Sequence, residues 1–106
     1  MNKLSFEDLK GKVCVITGGA GVLGTTMVQA LASAGMKVAI ADINRETAVR
    51  VADEIALECN ATVIGIEANV LDKESLIRAK AEINEKLGSI DILINGAGGN
   101  SPQATT

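Results

Sequence analysis

A chain of 106 residues has room for one domain, or part of one. Hydrophobic residues make up 47% and charged residues 22%, a globular balance rather than a disordered one. The net charge of −3, with one Phe and no Tyr or Trp, argues against a nucleic-acid groove, which needs basic side chains and aromatic platforms.

No apolar run approaches the ~18 residues of a membrane span. The stretch from Met1 to Lys12 carries Glu7 and Asp8 and lacks the apolar segment of a secretory signal. The cysteines, Cys14 and Cys59, make no disulfide framework. With no histidine in the chain, a Cys/His nucleophile and a Cys/His zinc site are excluded. A reducing, cytoplasmic setting is the simplest expectation.

The polar lead-in offers Leu4, Phe6 and Leu9 as anchors. A first strand is expected from Lys12 to Thr17, and its unbroken apolar run suits burial on both faces. A glycine cluster follows at once, Gly18-Gly19-Ala20-Gly21-Val22-Leu23-Gly24. Helix one is expected from about Val22 to Ala34, with Leu23, Met27, Ala30, Leu31 and Ala34 at helical spacing and Gly35 as the stop. Met36 to Asp42 reads as the second strand. Helix two runs from about Arg45 to Glu58, capped by Asn44, with Ala48, Val51, Ala52 and Ile55 on one face. Ala61 to Ala68 is the third strand. Asp72 caps helix three, which turns Leu76, Ala79, Ile83 and Leu87 inward and ends at Gly88. Ile90 to Asn95 is the fourth strand, and the loop Gly96-Ala97-Gly98-Gly99 follows.

Strand and helix alternate as β-α-β-α-β-α-β with a repeat of roughly 25 residues, the length of a strand and its crossover helix. Right-handed crossovers give a parallel α/β sheet with helices on both faces, and a Rossmann-type winding orders the strands 3-2-1-4. Ligands of such sheets sit at the carboxyl ends of the strands where the order reverses. Both glycine loops fall at that edge.

Gly19, Gly21 and Gly24 match G-x-G-x-x-G in its strand–turn–helix context. Such glycines bring backbone N–H groups and a positive helix end against a pyrophosphate. An acid follows about 20 residues on, at Asp42, where a carboxylate accepts bonds from ribose hydroxyls and repels a 2′-phosphate. NAD is therefore expected over NADP. Arg45, three residues later, is read first as a solvated helix-start residue, though it could weaken that discrimination. Asn69, followed by Val70, can either meet an adenine edge or simply close the loop. Asp91 lies within an apolar strand, so as a buried charge it is expected to meet backbone N–H groups or a polar side chain, in a structural rather than catalytic role beside the ligand. Asn95, Gly96, Ala97 and Gly98 bring backbone toward the ribose, or serve as a strand-exit turn.

Together these residues resemble the short-chain dehydrogenase/reductase family. Thr17-Gly18-Gly19-Ala20-Gly21-Val22-Leu23-Gly24 is similar to its T-G-x-x-x-G-x-G loop, and Asp42 to its NAD-selecting acid. Ala68-Asn69-Val70 resembles its Asp-Val adenine contact, and Asp91 to Gly98 its D-x-L-[IV]-N-N-A-G segment. The likeness runs from Leu9 to Gly98. Three positions depart from the pattern. Val22 stands at the middle glycine, so Gly21 would take over the close approach. Asn69 replaces an aspartate, and Gly96 replaces an asparagine. The run Asn95 to Pro102 further resembles the family's D-mannonate (fructuronate) oxidoreductases.

The resemblance implies hydride transfer between NAD and a secondary alcohol or ketone, such as a sugar acid. The cofactor-side residues it implies are Thr17, Gly18, Gly19, Gly21, Val22, Leu23, Gly24, Asp42, Asn69, Val70, Asn95, Gly96, Ala97 and Gly98. The family's catalytic Ser, Tyr-x-x-x-Lys pair and further Asn lie C-terminal to the N-N-A-G segment, and this chain has no tyrosine. Residues 1–106 are thus expected to be the cofactor-binding part of one domain whose catalytic half is absent, inactive alone. A non-catalytic NAD-binding or interaction module is the alternative. A methyltransferase fits less well, because Thr17 stands where an acid often precedes that glycine loop. Expected partners are a small-molecule substrate and further copies of the chain, since the apolar fourth strand would leave an unpaired edge.

Overall fold

The computed structural model describes residues 9–95, without the side chains of Val22 and Leu23. Leu4, Phe6, Gly96, Ala97 and Gly98 lie outside the described residues. The observed strands are β1 (Val13–Thr17), β2 (Lys37–Asp42), β3 (Val63–Glu67) and β4 (Ile92–Asn95). The helices are α1 (Val22–Ser33), α2 (Arg45–Cys59) and α3 (Lys73–Lys86). All pairings are parallel, in the order β3-β2-β1-β4. This is the doubly wound arrangement expected from the alternating pattern.

Strand alternation divides the core into two layers. Cys14 and Ile16 of β1, with Val38 and Ile40 of β2, pack against Val28 and Ala32 of α1 and Ala52 and Ile55 of α2. Val13 and Val15, with Ala39 and Ala41, face Ala79 and Ile83 of α3 and Leu87 just after it. Both faces of β1 are covered, so all five of its residues are buried. Leu9 is partly buried against the first layer, as an anchor should be.

The helix ends follow their local chemistry. Asn44 Oδ1 accepts the Thr47 N–H at 3.1 Å, and Asp72 Oδ1 accepts the Glu74 N–H at 3.0 Å. Gly35 (φ +94°) ends α1, and the following Met36 N–H returns to Leu31 O at 3.2 Å. α2 runs one residue past its expected end and stops at Asn60, a non-glycine residue in the left-handed region (φ 51°).

Some inward faces differ from the expected ones. Val28 and Ala32 carry α1 into the core, whereas Met27 and Ala30 are exposed. The helix is apolar around much of its circumference, so spacing alone does not choose its buried side. On α3, Leu76 is exposed, and Ser75 is buried with its Oγ accepting the Asn69 N–H at 2.9 Å. Asp91 is also not where its sequence context puts it. It precedes β4, is exposed, and stands at the amino edge of the sheet, opposite the carboxyl edge where the glycine turn lies. Only its expected backbone partner is observed: Val13 N–H donates to Asp91 Oδ2 at 2.9 Å.

Gly65 is a position the sequence reading missed. A Cβ there would lie 2.4 Å from both Ala48 C and Val49 N, so α2 rests its backbone directly on β3. These are main-chain atoms and cannot rotate aside. Gly65→Ala is expected to destabilise the fold by roughly 1–3 kcal/mol or more, and thermal unfolding with an unchanged midpoint would contradict this packing. Burial pushes the Cys14 thiol up to about 11, while Cys59 is only partly buried. Native protein at pH 8 should therefore expose one thiol, Cys59, to a thiol reagent, and unfolded protein two.

Candidate functional site

The glycine turn leaves the carboxyl end of β1. Gly18 takes φ +71°, and its N–H donates to Ala41 O at 2.8 Å, tying the turn to β2. The sharp turn is thus at Gly18, one residue before the first glycine of the G-x-G-x-x-G match. Gly19 is confined by the Ile16 and Ile40 side chains, which a Cβ would meet at 3.2 and 3.3 Å. At Gly24, a Cβ would sit 2.6 Å from Gly19 Cα, so the first turn of α1 abuts the glycine turn itself. Gly21 differs from both, since a Cβ there meets only Gly18 O, at an ordinary 3.6 Å. The chain's own packing does not demand a glycine at that position.

α1 has no side-chain cap at Gly21 and no acid in its first turn. α2 and α3 have both, through Asn44 with Glu46 and Asp72 with Glu74. The leading N–H groups of a helix lack intrahelical partners. At α1 they open over the strand edge with the positive end of the helix dipole, an arrangement suited to an anion.

Thr17 and Asn95 end β1 and β4 as register partners. The Thr17 hydroxyl donates to Asn95 Oδ1 at 2.8 Å. This bond joins the two strands where the strand order reverses, and it directs the Asn95 carbonyl inward, leaving the amide NH2 as its donor group.

Asp42 ends β2, half-exposed. Its Oδ1 accepts the Asn44 N–H at 3.0 Å, and no described residue bonds Oδ2. A cleft of about 270 Å³ lies beside it, lined by Thr17, Gly18, Asp42, Ile43, Asn69 and Val70 among others. Five residues expected from sequence therefore share one cavity. Asn69 closes the loop through its Oδ1, which accepts the Leu71 N–H at 3.0 Å. Of the two roles open to that side chain, this one is observed, and its NH2 makes no bond to a described residue. Arg45 is half-exposed, as a helix-start residue should be, but it is not simply solvated: its Nη2 lies 3.1 Å from Glu82 Oε2 of α3.

Two apolar residues of the cleft were missed in the sequence, Ile43 and Leu71, which are 66% and 92% exposed. Their signal was readable: bulky apolar side chains directly after strand ends, where loops are usually polar. A wider groove of about 900 Å³ lies along the outer side of α2, from Arg45 to Leu57. It meets no strand end and contains none of the expected residues. The described residues include no cluster able to hold a metal ion, and no helix among them is long and apolar enough to cross a membrane.

The short chain dehydrogenase family model matches residues 12–106. An uncharacterised oxidoreductase, UxuB, of Bacillus subtilis is 49% identical over 94% of this chain and 36% of its own length. An uncharacterised oxidoreductase of Haemophilus influenzae is 39% identical over the whole chain and 37% of its own length. This chain thus spans little more than a third of those relatives. Among solved structures, a candidate D-mannonate oxidoreductase from Haemophilus influenzae with bound NAD superposes with a TM-score of 0.81 at 40% identity, covering 92% of this chain and 35% of the other. A hydroxysteroid dehydrogenase from Escherichia coli gives 0.76 at 31% identity, covering 82% of this chain and 37% of the other. On its glycine turn, its strand order and these matches, the chain belongs to the short-chain dehydrogenase family.

Proposed function

We propose that this chain forms the adenosine- and pyrophosphate-binding part of an NAD-dependent oxidoreductase. The reaction is hydride transfer between nicotinamide and a secondary alcohol or ketone. The observation that carries the reading is the cleft that Asp42 shares with Thr17 and Gly18, the residues from which the glycine turn leads into the uncapped start of α1.

In this reading the pyrophosphate lies against the N–H groups of Val22, Leu23 and Gly24, and Gly21 gives it room. Asp42 Oδ2 accepts from the adenosine ribose. Its charge disfavours a 2′-phosphate, so NAD is taken over NADP. The adenine ring enters the cleft between Ile43, Val70 and Leu71, with the Asn69 amide as donor. Asn95, with Gly96, Ala97 and Gly98 after it, adjoins the nicotinamide-side ribose. The family's Tyr acid/base has no counterpart among these 106 residues, which contain no tyrosine, so this part alone performs no hydride transfer. A sugar acid such as D-mannonate or fructuronate is the proposed substrate, supported by the likeness to the NAD-bound candidate D-mannonate oxidoreductase. The same reading sets the protein in the reducing cytoplasm, where Cys14 and Cys59 stay free.

Self-association is also part of the proposal. Among the described residues β4 pairs only with β1, and its Leu93 is 66% exposed. An apolar parallel edge of this kind invites pairing. The 106-residue chain prepared by itself should therefore self-associate in light scattering, and a stable monomer at high concentration would refute this.

The cofactor assignment is tested on the protein in its full native length. Asp42→Ala should weaken NADH by about tenfold, on the scale of a hydrogen bond to a charged group, while NADPH, relieved of the repulsion at its 2′-phosphate, should bind more tightly. Equal affinity of wild type and variant for NADH would overturn the role of Asp42. Gly21→Ala should keep the melting temperature yet weaken both cofactors, because its methyl group enters only the space assigned to pyrophosphate. If Gly21→Ala binds NADH normally, the pyrophosphate is not seated there.

A further inference from the structure

Arg45 begins α2 three residues after Asp42, at the carboxyl edge of the edge strand β3. An arginine so placed is a ready partner for a 2′-phosphate, because a guanidinium binds phosphate oxygens with two parallel N–H bonds. The structure holds this one elsewhere. Arg45 Nη2 pairs with Glu82 Oε2 at 3.1 Å, so its side chain reaches from α2 to α3 around β3. Glu82 is further fixed by Lys86 Nζ at 2.8 Å, one helical turn on. Glu67, the register partner of Asp42, adds attraction for Arg45. The carboxylate of Glu82 is held below its usual range by bonds from Lys86 and Arg45, so it stays charged at neutral pH. The Glu82 side chain is 25% exposed and that of Arg45 48% exposed, which makes the pair a partly solvated strap rather than a buried lock.

We propose that Glu82 is a positioning residue for cofactor choice, holding Arg45 across the β3 edge and away from the 2′ position that Asp42 guards. This rests on the assignment of Asp42 to the adenosine ribose. Selectivity then has two parts. Asp42 repels a 2′-phosphate directly, and Glu82 keeps the nearest guanidinium from offsetting that repulsion. The strap also ties the two helices that flank the open edge strand, so a stability effect alone would not distinguish the roles. The ratio of the two cofactor affinities does, since a purely structural bridge would change both alike.

The test measures dissociation constants of NAD+ and NADP+ by calorimetry on the protein in its full native length. Glu82→Gln should leave NAD+ affinity unchanged and tighten NADP+ by about two- to fivefold, the scale of an exposed ion pair. Arg45→Ala in the same background should abolish that gain. A ratio unmoved by Glu82→Gln, or a gain that survives removal of Arg45, overturns the proposal. Asp42→Ala is measured alongside. If it collapses the preference for NAD+ while Glu82→Gln does nothing, the strap has failed and the assignment of Asp42 stands. If Asp42→Ala leaves the preference intact, the assignment of Asp42 itself has failed.

Discussion

The structure depends on one close approach, that of Gly24 to the Gly18–Gly19 backbone. No side chain fits between them, because even a Cβ would lie 2.6 Å from Gly19 Cα. The consequence is geometric. α1 follows β1 after a tight turn, Gly18 to Gly21, and its unpaired N–H groups are placed over the carboxyl edge of the sheet. The same turn is bonded to β2 through the Gly18 N–H and Ala41 O. Strand, turn and helix start are therefore one rigid unit, and the open end of α1 is fixed by packing rather than by a flexible loop.

The rest of the site follows from topology. α1 and α2 cover one face of the sheet and α3 the other. With right-handed crossovers, that change of face is what sends β4 to the far side of β1 and opens a crevice between their ends. The Thr17–Asn95 bond spans the crevice. Asp42 and Asn69 reach the cleft because β2 and β3 end on the same edge. Gly65 supports this from a distance, by letting α2 lie close enough to β3 to keep Asn44 and Arg45 near Asp42.

Much of this was legible in the sequence. The alternation of apolar runs with helical spacing gave the strand order, because handedness leaves few ways to wind such a chain. Thr17, Gly18, Asp42, Asn69 and Val70 were legible because glycine clusters and strand-end acids have local causes. What escaped the sequence depends on distant partners. The buried side of α1 depends on how the helix lies on the sheet, and apolar residues on more than one side of it, Met27 and Ala30 as well as Val28 and Ala32, hide that choice. Asp91 sits among apolar residues yet lies outside the strand and in solvent, because hydrophobic neighbours in sequence do not fix burial at a strand entrance. Gly65 looks like any strand glycine until α2 is laid on it. Glu82 is one acid among several on a polar helix face, and only the fold brings it to Arg45.

In the proposed function NAD lies across the carboxyl edge, from the start of α1 to the ends of β2 and β3. Amide hydrogen exchange with and without NAD+, on the protein in its full native length, tests it most directly. Added protection is expected at residues 18–25, 42–45 and 69–72, and none at the amino edge around Val13, Lys37 and Asp91. Protection confined to the outer side of α2, with the glycine turn unchanged, would contradict it.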